Sequence, residues 1–224
     1  MRRACRNLLA AIALLAAAPG AANAACSGAA YAYAGLQART RAHGVAATVS
    51  LLSTPTVTNG HVAAWVGLGG PGMGPNRSDE WVQVGLASFD DGGTYIYYEV
   101  ARPGSAPEYV QLGDAVLLGE SHRLAVLEMT HHREWWRVWV DGRPVSAPLH
   151  LAGSSGTWSP MATSESWDGG TPGACNAYEY GFAGLSVATA RGGNWQQFKT
   201  GARREDAGYR VLATVDGGFV AGSA

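Results

Sequence analysis

From residue 45 onward the chain is a series of short runs of apolar, aromatic and β-branched residues, each ending at a turn rich in glycine, proline, asparagine or aspartate. The runs cover residues 45–52, 61–68, 80–87, 94–100, 123–129, 135–140, 178–188, 209–215 and 219–221. Residues 90–93, Asp-Asp-Gly-Gly, are a hairpin signal because these residue types accept positive φ. Short strands at nearly regular spacing predict an all-β protein, a two-sheet antiparallel β-sandwich or jelly roll.

The first residues have the pattern of a secretory signal. Three arginines within residues 2–6 precede an apolar run over residues 8–18, and the small-residue site Ala22-Asn23-Ala24 follows. We therefore predict a signal peptide over residues 1–24 and a single β-sandwich domain over residues 25–224. Because the apolar run is roughly half of the ~20 residues that a membrane helix needs, we expect a secreted or periplasmic protein without a membrane partner.

Charge argues against nucleic acid as a partner. The formal net charge of the chain is −1, and removal of the three signal arginines changes it to −1 − 3 = −4. A surface with this balance offers no electrostatic attraction to phosphates. We expect a monomer whose partner is a polypeptide substrate or a glycan polymer.

The cysteines predict one disulfide. Cys5 would leave with the signal, and Cys26 and Cys175 are then the two thiols that enter an oxidising compartment, where pairing is the usual outcome. The alternative is lipidation of Cys26. Asn23 argues against it, because a lipidation signal normally has leucine at that position.

Alternate residues of a strand share a face, so the residues of three runs, 61–68, 80–87 and 94–100, can each be assigned to one of two faces. One face of each run is aliphatic, whereas the other carries aromatic and polar side chains in place of the Lys, Glu and Thr of a plain solvent face. The mixed faces contain Trp65, Trp81, Gln83, Tyr95, Tyr97 and Glu99. These faces predict one of two structures. The first is a groove that holds an extended peptide or glycan, and the second is another packed core in which Gln83 and Glu99 are hydrogen-bonded. We favour the groove.

The same three runs resemble the central part of a known family. The matching segments are Trp65-Val66-Gly67-Leu68-Gly69, Trp81-Val82-Gln83-Val84-Gly85 and Tyr95-Ile96-Tyr97-Tyr98-Glu99. They are similar to the glutamic peptidases, or eqolisins, which are acid endopeptidases on a concanavalin-like jelly roll. The resemblance covers about residues 35–185, and it implies the same fold for this chain.

The resemblance also implies a catalytic pair, Gln83 and a later glutamate. The matching later segment is Met161–Trp167, which contains Glu165, although the family's Glu-Trp-Ile-Val-Glu type of segment is absent. Glu165 would take a proton from water and return it to the leaving amine, and Gln83 would hold that water and donate to the oxyanion. Neither a metal nor another cofactor is required.

Two other functions fit the same residues. In a lectin-like module, Trp65, Trp81 and Tyr97 would stack on sugar rings while Gln83 and Glu99 bind hydroxyl groups. In a glycoside hydrolase, Glu99 and Glu165 would be the two carboxyl groups, about 5 to 9 Å apart.

Two further segments are assigned no site. His131 and His132 are interpreted as turn residues, because adjacent residues at a strand end point to opposite faces and no third ligand has zinc-like spacing. Residues 203–206, Arg-Arg-Glu-Asp, are interpreted as a mixed-charge surface stretch, and the structure of residues 192–204 is left open.

Overall fold

The computed structural model describes residues 31–168 and 175–224, which form sixteen strands and one short 3₁₀ turn, Pro75–Arg77. In chain order the strands are β1 (Tyr31–Ala38), β2 (Gly44–Leu51), β3 (His61–Gly70), β4 (Glu80–Ser88), β5 (Thr94–Ala101), β6 (Glu108–Ala115), β7 (Ser121–Glu128), β8 (Trp135–Val140), β9 (Arg143–Pro144), β10 (Leu149–His150), β11 (Met161–Trp167), β12 (Glu179–Ala190), β13 (Gly193–Gln197), β14 (Thr200–Glu205), β15 (Tyr209–Ala213) and β16 (Phe219–Ser223).

The strands form two antiparallel sheets. The first sheet has the order β14-β1-β11-β3-β4-β5-β6, and the second has the order β10-β8-β7-β2-β12-β16-β15, with β13 beside β12 and β9 beside β8. Strands distant in the chain are neighbours in both sheets, as in a jelly roll. The prediction of an all-β, two-sheet antiparallel β-sandwich is confirmed.

The aliphatic faces of the strands meet between the sheets. Val62, Ala64, Val66 and Leu68 of β3 are all buried there, as are Val82, Val84 and Leu86 of β4. They pack against the corresponding residues of the second sheet, such as Val45, Val126 and Trp136. Because alternation places one aliphatic face inward, each strand of the first sheet turns its other face away from this core.

The predicted runs do not include β1 and β11, which are neighbours in the first sheet. In β11 the inward residues are Ala162, Ser164 and Ser166, so the inner face lacks the aliphatic pattern of a strand. Ser164 and Ser166 are nevertheless buried, because Tyr178 donates to Ser164 and Asn176 donates to Ser166. Glu165 therefore lies in a strand in the interior of the first sheet.

Three predictions concern residues outside the described ranges. The signal peptide over residues 1–24 lies wholly outside them, and so does Cys26. The disulfide between Cys26 and Cys175 therefore stays a prediction. Within residues 31–168 and 175–224, no helix has the length and apolar character needed to cross a membrane.

The carboxyl group of Glu80, at the start of β4, is fully buried. Among the described residues no cation pairs with it, and neither carboxyl oxygen accepts a well-formed hydrogen bond. Burial raises the pKa of Glu80 above its usual value of 4.5; the backbone amide of Ala152 opposes the shift, and the charge of Glu134 adds to it. Because the pKa is raised in the folded state, the folded protein loses stability as pH rises through that pKa.

We therefore expect Glu80→Gln to stabilise the protein at pH 7 by about 1 kcal/mol or more, because the neutral amide removes a buried negative charge. The variant should have little effect at pH 3, where Glu80 carries no charge either. Denaturant unfolding at both pH values measures this difference. The variant Glu179→Gln, at a half-buried surface position of β12, serves as the control. Equal stability of wild type and Glu80→Gln at pH 7 would contradict the argument.

Candidate active site

A cleft of about 610 Å³ lies on the face of the first sheet that is turned away from the core. Five strands, β14, β1, β11, β3 and β4, supply most of its lining, and β5 adds Glu99. The polar and aromatic residues that line it are Tyr31, Tyr33, Gln37, His61, Trp65, Trp81, Gln83, Glu99, Thr163, Glu165, Arg203 and Arg204. The structure therefore brings Gln83, Glu165, Glu99, Trp65 and Trp81 to one cavity.

Glycines create the space for these large side chains. A Cβ at Gly85 would lie 2.3 Å from the Ala64 carbonyl oxygen and 2.7 Å from Trp65 Cβ. At Gly67 a Cβ would lie 2.7 Å from the Cβ of Gln83. Both contacts are far inside van der Waals distance, so Trp65 and Gln83 need glycine beside them.

Glu165 is held by two donors. Trp65 donates its Nε1–H to Oε2 of Glu165 at 2.8 Å, and the ring Nε2 of His61 lies 3.2 Å from Oε1. Only 6% of Glu165 is exposed. With one partner on each oxygen, the plane of the carboxyl group is fixed at the wall of the cleft.

Gln83 is positioned by a hydrogen bond to Tyr97. Its side-chain Nε2 donates to the hydroxyl group of Tyr97 at 3.1 Å, and 8% of the residue is exposed. Because an amide nitrogen carries two hydrogens, a second N–H remains that a substrate carbonyl can accept. The position of Gln83 in the cleft suits an oxyanion donor.

The register of the sheet separates Gln83 from Glu165. Gln83 pairs with Gly67, and Gly67 pairs with Met161 on the far side. Glu165 pairs with Ala63, four residues along the strands from that row. Among the described residues no hydrogen bond joins Glu165 to Gln83. The residue that faces Gln83 directly across the glycine is therefore Met161.

Glu99 is the cross-strand partner of Gln83. Trp81 donates its Nε1–H to Oε1 of Glu99 at 2.7 Å. Burial raises the pKa of Glu99 above its usual value, the bond from Trp81 opposes the shift, and the charge of Glu165 adds to it. Glu99 consequently keeps its proton to a higher pH than an exposed glutamate and can donate a hydrogen bond in acid solution.

Two of the predicted substrate-binding residues do not line the cleft. Tyr97 is 2% exposed and its ring stacks on Tyr109 at 5.1 Å, so it supports Gln83 from below. Tyr95 pairs with Ala87 and Ala115, and its hydroxyl group lies beside Gly93 at the β4–β5 turn. Strand alternation correctly places both residues on the outer face of the first sheet. The cleft, however, lies over β1 and β11 and does not extend to these two side chains.

Sequence reasoning missed the aromatic residues of β1. Tyr31 and Tyr33 stack on each other at 5.9 Å, and the guanidinium group of Arg204 lies 4.4 Å from the Tyr33 ring centroid. Arg204 belongs to β14, so residues expected to be a surface stretch form one wall of the cleft. The alternation Tyr31-Ala32-Tyr33-Ala34 was the available signal for β1.

His61 is a further cleft residue that the sequence analysis did not assign to the site. It shares the parity of Trp65 on β3, and its ring lies between Trp167, at 5.7 Å, and Phe89, at 5.8 Å. In residues 31–168 and 175–224 no group of three or more His, Cys, Asp or Glu side chains is arranged to hold a metal ion.

Comparison with known proteins identifies the architecture. No family model and no curated protein matches the sequence. Scytalido-glutamic peptidase with a transition state analog inhibitor matches with a TM-score of 0.54 at 15% identity, over 88% of this chain and 98% of that chain. The same peptidase with a peptide based transition state analog has a TM-score of 0.51 at 14% identity and the same coverage.

A third solved structure agrees with these two. SCP-B, a member of the eqolisin family of peptidases in a complex with the tripeptide Ala-Ile-His, has a TM-score of 0.50 at 15% identity. It covers 88% of this chain and 98% of its own. This protein is therefore a concanavalin-like β-sandwich with the fold of the glutamic peptidases.

Proposed function

We propose that the protein is a secreted or periplasmic endopeptidase that cleaves extended polypeptides at acidic pH. The observation that carries the proposal is one cleft lined by a fixed carboxyl group, Glu165, an amide donor, Gln83, and a carboxyl group with a raised pKa, Glu99. The glutamic peptidase fold supports it, as does the peptide bound in the eqolisin SCP-B.

In the proposed reaction Glu165 accepts a proton from a water molecule whose oxygen attacks the peptide carbonyl carbon. The second N–H of Gln83 donates to the oxygen that becomes negatively charged. The C–N bond then breaks, and Glu165 returns the proton to the departing amine. Gln83 pairs with Gly67 and Glu165 pairs with Ala63, so the two side chains start at different positions along β3. In this scheme the water and the scissile bond therefore lie between them, over Trp65.

Glu99 binds the substrate in this scheme. In its protonated form it donates a hydrogen bond to a backbone carbonyl group beside the scissile bond. When pH rises through its raised pKa, the group becomes an anion that can no longer donate. We therefore expect cleavage to decline as Glu99 ionises.

The experiment is digestion of unfolded casein by the purified protein between pH 2 and pH 7, with fragments identified by mass spectrometry. We expect cleavage that is greatest in acid and declines toward neutral pH. A soluble β-glucan, assayed in parallel for new reducing ends, serves as the control substrate. If reducing ends are released and casein stays intact, the peptidase proposal is wrong and the protein is a glycoside hydrolase that uses Glu99 and Glu165.

Binding without cleavage is the second candidate, and the register favours it. Met161 occupies the position that faces Gln83 across Gly67, and both oxygens of Glu165 already have partners. In that case wild type retains casein peptides uncut. The variant Met161→Glu would place a carboxyl group directly opposite Gln83 and is expected to introduce acid cleavage, whereas Met161→Gln is not.

A further inference from the structure

A second groove of about 510 Å³ lies on the outer face of the second sheet. Its floor consists of small residues, because Ala46 of β2 pairs with Ala125 of β7 on one side and with Ser186 of β12 on the other. Trp139 of β8 pairs with Ala125 at one end, and Trp195 of β13 stands at the other end. The groove is thus a shallow floor between two indole walls.

The two walls are far enough apart for a chain of several rings. From β8 to β13 the order of strands is β8-β7-β2-β12-β13, which is four strand spacings or about 19 Å between backbones. Trp195 is 41% exposed, although an indole is usually covered. Sugar rings have an apolar C–H face, which can lie over a floor of alanines and stack on an indole.

The polar groups of the groove are donors. The indole Nε1–H of Trp139 is buried and has no hydrogen-bond partner in the part of the chain that the structure describes. Arg123 lines the groove, and burial lowers the pKa of its guanidinium group. Arg137 lies beside the groove, because it is on the same face of β8 as Trp139 and pairs with the lining residue Leu127. Its Nε is buried without a hydrogen-bond partner among the described residues.

Neither arginine has a countercharge. Within residues 31–168 and 175–224 no carboxylate lies at ion-pair distance from Arg123 or Arg137, and the groove lining contains neither Asp nor Glu. Arg123 instead donates to the Gly184 carbonyl group and to Ser186 Oγ. A partly desolvated cation is stabilised by an anion, so an acidic group of a ligand would suit both arginines.

We propose that this groove is a binding site for an acidic glycan, a chain of uronic acid residues whose rings stack on Trp139 and Trp195 and whose carboxylates pair with Arg123 and Arg137. The site is distinct from the cleft of the first sheet and does not depend on the function of that cleft. It would hold the protein on an acidic polysaccharide.

The test is isothermal titration calorimetry with a galacturonic acid oligosaccharide and, as its uncharged match, the fully methyl-esterified form. We expect wild type to bind the acid at least tenfold more tightly than the ester, and the affinity to fall between 50 and 500 mM NaCl. Trp139→Ala, Trp195→Ala and Arg137→Gln are each expected to weaken binding at least tenfold.

Two controls separate this site from the rest of the surface. Trp135→Ala removes an exposed indole of β8 that packs on His150 outside the groove, and Glu165→Gln alters only the first cleft. Both should bind as wild type does, and near-UV circular dichroism checks that every variant folds. Equal affinity for acid and ester, equal loss in Trp135→Ala, or equal binding of an oligonucleotide or polyglutamate of matched charge would overturn the proposal.

Discussion

Replacing Glu165 by glutamine is expected to lower kcat/KM for acid cleavage of a peptide by about 10²- to 10⁴-fold, the contribution of a general base. Glutamine has nearly the same shape, and its carbonyl oxygen can still accept the Trp65 Nε1–H, so the wall of the cleft is preserved. What the variant loses is the capacity to accept a proton from water. The measurement is initial rate against substrate concentration at the pH optimum.

Two companion variants complete this experiment. Gln83→Ala removes the proposed oxyanion donor and should lower kcat by about 10²- to 10³-fold. Glu179→Gln, a change at a half-buried surface position of the second sheet, should leave the rate unchanged. Thermal unfolding of all variants separates chemistry from folding. Wild-type rates in a folded Glu165→Gln protein would show that the carboxyl group only positions Trp65 and His61.

Replacing Gly85 by valine is expected to destabilise the protein by about 3 kcal/mol or more, at the upper end of overpacking effects. The first added carbon would lie 2.3 Å from the Ala64 carbonyl oxygen, which belongs to the central strand β3 and cannot rotate away. Relief requires β3 and β4 to separate or Trp65 to leave its place. Either movement disturbs the bond from Trp65 to Glu165.

Denaturant unfolding measures this change. The control is Gln111→Val, which introduces the same side chain on the same face of the sheet, at an exposed position of β6. It should change the free energy of unfolding by no more than about 0.5 kcal/mol. Similar unfolding curves for wild type and Gly85→Val would mean that the glycine is not required for space.

Much of the fold and one half of the site could be predicted from the sequence. Where aliphatic and mixed residues alternate, as in β3, β4 and β5, parity alone assigns Trp65, Gln83 and Glu99 to one surface. This works because pleating depends on adjacent residues only. It fails for β11, whose inner face is built from alanine and serine, because those serines are satisfied by Tyr178 and Asn176 from other strands.

The sequence by itself determined the all-β class, the two faces of each aliphatic strand and the turns between them, because these follow from local residue patterns. Only the tertiary structure decided that β1, β11 and β14 join β3 and β4, that Tyr33 and Arg204 form a wall, and that Met161 faces Gln83. Strand order and register depend on pairing between segments as far apart in the chain as Ala34 and Glu205. A shift of two residues preserves every face while changing every neighbour.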